Sequence, residues 1–426
     1  MTQSKPDGVR RVLRRPGRRD GARPAPTPAT QKYFATTAKG LEGVLAAELA
    51  ELGARDVENT RAGASFSGAL EVAYRACLWS RVASRVLLPL ASFRADTPEA
   101  LYDGVRTIRW WEHLGPRGTL AVDCSISQSR LTHSHFAALK TKDAIVDQLR
   151  DRSGERPSID VARPDVRVNV YLHRDRATVA IDLAGESLHR RGYRERGLAA
   201  PLKENLAAGL LLLAEWKRRS AERAPFVDPM CGSGTLPIEA ALIAADVAPG
   251  LARAHFGFLR WRAHDTALWK RLLAEAEERR VRDPKRLPPI RGYDADARAV
   301  RTALTHLEGA SVRGLVHIEK RTLAECAALP GRDSGVLFVN PPYGERIGDI
   351  ETLAPLYAEI GDVLRRRFIG WTGYILAGNR ELAKHIGLRT ARRVPVYNGA
   401  IECRLLEFPI AATAVQSERG PGWRKS

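Results

Sequence analysis

FVDPMCGSGT (226–235) runs from a short apolar strand into a glycine-rich turn and on into the apolar stretch LPIEAALIA (236–244). Glycines at a strand-to-helix turn let backbone amides approach a ligand closely, as at the first turn of doubly wound α/β sheets. The neighbouring residues exclude two common ligands. A phosphate loop needs Gly-Lys-Ser/Thr, and this turn has no lysine; a dinucleotide fingerprint needs a small residue where Pro237 stands. The carboxylate of Asp228 at the strand end repels phosphate and suits a ligand that carries an ammonium.

Outward from this turn, from about residue 200 to 410, short apolar strands alternate with helical stretches: PIRGYD (289–294), LVHIEK (315–320), GVLFVN (335–340) and GYILAG (373–378). That alternation predicts a doubly wound parallel sheet. ARRVPVY (391–397), a turn at Asn398-Gly399 and AIECRLLEFP (400–409) then predict a terminal antiparallel hairpin. A parallel sheet closed by such a hairpin points to a Rossmann-like methyltransferase domain rather than a dehydrogenase. S-adenosylmethionine, with its ammonium and sulfonium, is the expected cofactor. GYDAD (292–296) ends the next strand, where a carboxylate accepts from ribose hydroxyls; Asp294 is the first candidate and Asp296 the second, and either can also cap the following helix.

Asn340-Pro341-Pro342-Tyr343-Gly344 follows the strand GVLFV. An exocyclic base amine is a poor nucleophile because its lone pair is delocalised into the ring. A site that methylates it must accept its N–H hydrogens, and the Asn340 side-chain oxygen and the Pro341 carbonyl are the expected acceptors. Proline fixes φ and has no N–H, so the turn is stiff and rich in acceptors. Tyr343 offers a ring on which an extracted base can stack.

Residues 33 to about 187 have a different character. KGLEGVLAAELAEL (39–52) and FAALKTKDAIVDQL (136–149) have helical spacing, TLAVDCSIS (119–127) alternates as a strand, and VRVNVYL (166–172) and ATVAIDLAG (177–185) form an expected hairpin across HRDR. This α+β half has no catalytic constellation and reads as a binding module. A basic hinge, LHRRGYRERG (188–197), leads from it. Arg130, Lys140 and Lys142, with the hinge residues Arg190, Arg191 and Arg194, are the candidate nucleic-acid contacts. Residues 1–32 form a basic, proline-containing arm without apolar period, and 411–426 a second tail.

The formal net charge of +19, from 68 Lys and Arg against 49 Asp and Glu, favours a polyanionic partner. Five cysteines lie without a CxxC pair and no HExxH occurs, so neither a disulfide framework nor a metal site is expected. There is no membrane-length apolar run and no secretory leader, and the expected location is the cytoplasm.

DPMCGSGT followed by NPPYGER resembles the THUMP-domain family of class I RNA methyltransferases, and within it the bacterial 23S rRNA guanine-N2 methyltransferases of the RlmL type. SLHRRGYRERGLAAPLKENLAAGLL (187–211), IEAALIAADVAPGLAR (238–253) and HDTALWKRLLAEAEERR (264–280) are similar to that family's connecting segments. The resemblance implies a ferredoxin-like domain over 33–95, a THUMP domain over 96–187 and a methyltransferase domain over 188–410. It implies methylation of a guanosine 2-amino group in 23S rRNA or a large-subunit precursor, with no obligate protein partner. Asp228, Pro229, Cys231, Gly232, Gly234, Thr235 and Asn340 would then contact the cofactor, Asp294 or Asp296 its ribose, and Asn340 to Tyr343 the base. Thr322 stands where the family commonly has an acidic residue near the adenine. Some members carry a second methyltransferase domain, which a chain ending at residue 426 is expected not to have. The same motifs fit tRNA guanosine or DNA adenine as substrate, and a non-catalytic assembly factor is the reading of another class.

Overall fold

The computed structural model describes residues 1–2, 30–194, 202–344 and 349–411. Nearly all of the expected basic arm and tail, and the Glu345-Arg346 end of NPPYGER, lie outside the described residues. Two sheets organise the chain.

The first sheet contains β1 (Gln31–Thr37), β2 (Arg55–Thr60), β3 (Gly63–Gly68), β4 (Ala83–Arg94), β5 (Thr119–Ser127), β6 (Ser158–Ile159), β7 (Val166–His173) and β8 (Arg176–Asp182), in the order β2-β3-β1-β4-β8-β7-β5-β6. β4 pairs with β1 on one side and β8 on the other, so one continuous sheet runs through both expected N-terminal domains. Period-2 patterning explains β7: Val166, Val168, Val170 and Leu172 are buried while the residues between them face outward. The helix Ser134–Ser153 stops at Gly154, whose φ of 74° continues no right-handed helix.

The second sheet contains β9 (Phe226–Asp228), β10 (Ile290–Asp294), β11 (Val316–Lys320), β12 (Val336–Val339), β13 (Thr372–Ala377), β14 (Arg392–Asn398) and β15 (Ile401–Pro409), in the order β11-β10-β9-β12-β13-β15-β14. β9 to β13 are parallel, whereas β15 inserts antiparallel between β13 and β14. The expected fold class is therefore present: a doubly wound sheet with a terminal hairpin, preceded by an α+β half. The turn itself corrects one expectation. Asn398 pairs with Ile401, so the turn is Gly399-Ala400, with Gly399 at φ 63° in the first central position. Glycine is the residue that turn position tolerates, and Asn398 becomes the last residue of the ladder.

One apolar core connects the halves. Tyr74 stacks on Phe258 with centroids 4.2 Å apart and meets Trp269 edge-on, and Gly250 abuts the Leu78 backbone. Each fully buried large side chain of this kind contributes roughly 1.5–3 kcal/mol. Among the described residues, no helix is long and apolar enough to cross a membrane.

Candidate active site at the sheet switch point

The strand order reverses between β9 and β12, whose carboxyl ends carry Asp228 and Asn340. Ligands of open α/β sheets bind in the crevice at that reversal.

Asp228 is 1% exposed, and its carboxylate accepts the Met230 N–H at 3.1 Å. Burial pushes its carboxyl well above the usual range, the Met230 amide opposes that, and the charge of Asp294 adds to it. No cation lies within ion-pair distance of it among the described residues. Gly232 (φ 54°) and Gly234 (φ 81°) shape the turn that follows. A Cβ on Gly234 would approach the Ala303 Cβ to 3.0 Å, whereas nothing lies within 4 Å of one built on Gly232. The turn is thus packed on its helix side and open above Gly232. A buried carboxyl without a cation beside an open glycine turn fits a ligand bearing an ammonium.

Asp294 ties β10 to this turn. Its Oδ2 accepts from the Gly232 N–H at 2.9 Å and its Oδ1 from the Asp296 N–H at 2.9 Å. Asp296 caps the helix Ala297–Gly309 by accepting the Arg298 N–H at 2.8 Å. Thr322 is held in a capping box, its N–H and hydroxyl both donating to Glu325, at 2.9 and 2.7 Å. Cys231 is buried within the turn, where burial raises its thiol far above the thiolate range; Pro229 precedes it and is also buried.

At the end of β12, Pro341 is buried and Pro342 exposed. The Tyr343 hydroxyl donates to Asn340 Oδ1 at 2.8 Å, and the Tyr357 hydroxyl donates to the Pro342 carbonyl at 3.0 Å. Among the described residues no hydrogen bond reaches the Pro341 carbonyl, which leaves it available as an acceptor. The Tyr343 ring lies so close to Gly378 that a Cβ there would come within 2.5 Å of the ring. Asn398, brought in by the one-residue shift of the hairpin turn, donates from Nδ2 to the Tyr343 hydroxyl at 3.4 Å. Gly378 and Asn398 belong to the site through contacts between strands far apart in sequence, and only the Asn-Gly signal marked either of them.

The basic candidates separate into two groups. Arg190 is 65% exposed and 3.6 Å from Glu186. Arg130 is exposed between Asp96 and Asp175, Lys140 lies 5.2 Å from the Tyr102 ring, and Lys142 pairs with Asp143 at 2.7 Å. Arg191 and Arg194 correct the expectation of RNA contact. Arg191 is 2% exposed, donates to the carbonyls of Leu188 and Arg81, and lies 3.5 Å from the fully buried Glu239. Arg194 turns inward to the Thr235 hydroxyl, the Leu202 carbonyl and Glu204. A buried glutamate needs a cation more than the surface does, which draws both guanidiniums in. Arg194 therefore braces the first helical residue after the glycine turn.

Residues 191–407 match the RMKL-like methyltransferase domain, 32–87 the RlmL ferredoxin-like domain and 95–182 the THUMP domain. The chain is 53% identical over 384 residues to the ribosomal RNA large subunit methyltransferase K/L of Methylococcus capsulatus, covering 90% of this chain and 52% of the relative. It is 52% identical over 382 residues to that of Syntrophotalea carbinolica, covering 89% and 54%. The chain thus spans about half the length of the curated relatives it matches. The crystal structure of SMU.472, a complex with SAH, is 32% identical with a TM-score of 0.81, covering 90% of this chain and 99% of that one. A Listeria monocytogenes protein named a predicted N6-adenine-specific DNA methylase is 31% identical with a TM-score of 0.79, covering 89% and 96%. Motif, sheet order and family matches agree, and the chain belongs to the RMKL-like methyltransferase family.

Proposed function

We propose that this chain methylates the 2-amino group of a guanosine in 23S rRNA, with S-adenosylmethionine as donor. The observation that carries the reading is the adjacency of Asp228 and Asn340 on neighbouring strands at the switch point. Asp228 binds the ammonium of the donor, Asp294 its ribose, and the turn Gly232–Gly234 lies against it. Thr322 and the adjoining turn border the adenine. The SAH complex of SMU.472 and the names of the K/L relatives support the donor and the RNA class.

The bound donor supplies a methyl group on a sulfonium, which is already an activated leaving group. The protein's part is orientation. Asn340 Oδ1 and the Pro341 carbonyl accept the two amine hydrogens, so the nitrogen lone pair leaves conjugation and points along the line of transfer. Tyr343 stacks the extracted base. The N–CH₃ bond forms as the S–CH₃ bond breaks, and the extra amine proton passes to water. Holding the reacting atoms in line is worth up to about 7–11 kcal/mol of barrier.

The α+β half, divided at residues 33–95 and 96–187, holds the RNA through surface cations including Arg190, Arg130, Lys140 and Lys142. The reaction takes place in the cytoplasm, on the rRNA or a large-subunit precursor. The second reading, the same chemistry on a DNA adenine, draws on the name of the Listeria relative. Nucleoside mass spectrometry of 23S rRNA, tRNA and DNA from cells with and without the gene tests both. Loss of one N2-methylguanosine from 23S rRNA is the expected result; loss of N6-methyladenine from DNA selects the second reading.

A further inference from the structure

The catalytic residues occupy the carboxyl ends of the second sheet, and a cleft of about 470 Å³ lies at the amino ends of the same strands. Arg223 precedes β9, Pro288 and Pro289 precede β10, Gly314 precedes β11 and Arg332 precedes β12; all five line the cleft. Arg291 and His317 line it from within β10 and β11. No carboxylate is among the lining residues. Among the described residues Arg223, Arg291 and Arg332 make no ion pair. Of the acids near it in sequence, Asp283 accepts from the Lys285 N–H, Glu308 pairs with Arg313, Glu319 pairs with His317 and Arg321, and Asp333 follows Arg332 but does not line the cleft. The floor is stiff, because prolines fix the approach to β10 and Leu287, Ile290 and Val316 are buried beneath it.

Unpaired guanidiniums around a concave site with no acid present forked donors to a phosphate. We infer that this cleft is a second RNA-backbone site, taking a phosphodiester of the substrate at the pole of the domain opposite the reacting base. It rests on the reading that the substrate is RNA. A five-residue strand separates the two ends by roughly 13–17 Å, so the RNA must wrap the domain to reach both.

The test is the salt dependence of binding to a 23S rRNA transcript, for the wild-type chain and for R223Q/R332Q. Both arginines are exposed, so the variant should fold. Each lost phosphate contact lowers the slope of log Kd against log salt by about 0.7–0.9, so the expected fall is about 1.4–1.8. kcat at saturating RNA should be unchanged. An unchanged slope with methylation intact overturns the cleft as an RNA site and leaves it to an acidic protein surface. A wild-type chain that methylates DNA but neither binds nor methylates RNA overturns the RNA reading, and the cleft with it.

Discussion

The Tyr343 hydroxyl donates to Asn340 Oδ1 at 2.8 Å, so the acceptor that a base amine requires is already engaged by the residue proposed to stack that base. The two roles of Tyr343 separate by substitution. Tyr343→Phe removes the competing hydroxyl and keeps the ring, and the KM for RNA should fall about two- to tenfold. Tyr343→Ala removes the stacking surface, worth about 1–3 kcal/mol, and the KM should rise about five- to 150-fold. Steady-state kinetics that move both variants in the same direction would refute this assignment.

Asn340→Ala should lower kcat by roughly 10²–10³ while leaving RNA affinity little changed, the size of effect seen when one preorganised polar group is removed from a reacting centre. Single-turnover methylation with separate filter binding distinguishes this from a loss of docking. Retention of kcat would place the amine acceptor elsewhere.

Gly378→Ala puts a methyl where the Tyr343 ring sits, within 2.5 Å of its nearest atom. Overpacking of this kind costs about 1–3 kcal/mol. Tm should fall and the KM for RNA should shift, with cofactor affinity unaffected. An active, equally stable G378A variant would mean that the ring moves freely.

Asp228 makes a pH-dependent prediction. Burial holds its carboxyl above the unfolded value of about 3.9, so between the two values the folded protein carries a proton that the unfolded chain has lost. The contribution of Asp228 to stability therefore falls as pH rises from about 4 through the folded value. Asp228→Asn should raise the Tm of the cofactor-free protein at neutral pH and weaken S-adenosylmethionine binding about 10- to 150-fold. Calorimetry in two buffers should show a proton released as cofactor binds the wild type. A lower Tm with unchanged cofactor affinity would contradict the ammonium-binding role.

The hinge arginines should divide by burial. Arg191→Met strands Glu239 in the core and should cost about 3–5 kcal/mol of stability. Arg190→Gln lies on the surface and should change stability by no more than about 0.5 kcal/mol while weakening RNA binding. Urea denaturation of both, beside RNA titrations, checks the division. Equal effects of the two on RNA affinity, with stability intact, would return Arg191 to the RNA-contact group.

Local pattern made most of the fold legible. β5 spans the alternating stretch TLAVDCSIS, and every strand of the second sheet begins and ends within one residue of its apolar run, because period-2 burial and turn residues are local properties. The hairpin turn fell one residue from the expected place because cross-strand pairing with Ile401, not the Asn-Gly pair alone, fixes the register. What pattern could not show was non-local. Arg191 and Arg194 look like their exposed neighbour Arg190 in sequence; only the fold brings Glu239 and Glu204 beneath them. Gly378 likewise reads as a strand end until β13 lies beside β12 and its missing side chain makes room for Tyr343.

β4 has a partner on each flank, β1 and β8, so the eight-stranded sheet is a single plate, and the apolar core joins that plate to the methyltransferase sheet. Hinges need a seam with few contacts, and among the described residues buried apolar side chains of both halves pack into one cluster. Such packing favours a fixed span from the plate to the Asn340 edge. An RNA held on the plate, as proposed, would present to that edge only the nucleotide lying at the matching reach, so choice of target would become a measurement of length as well as a reading of the base.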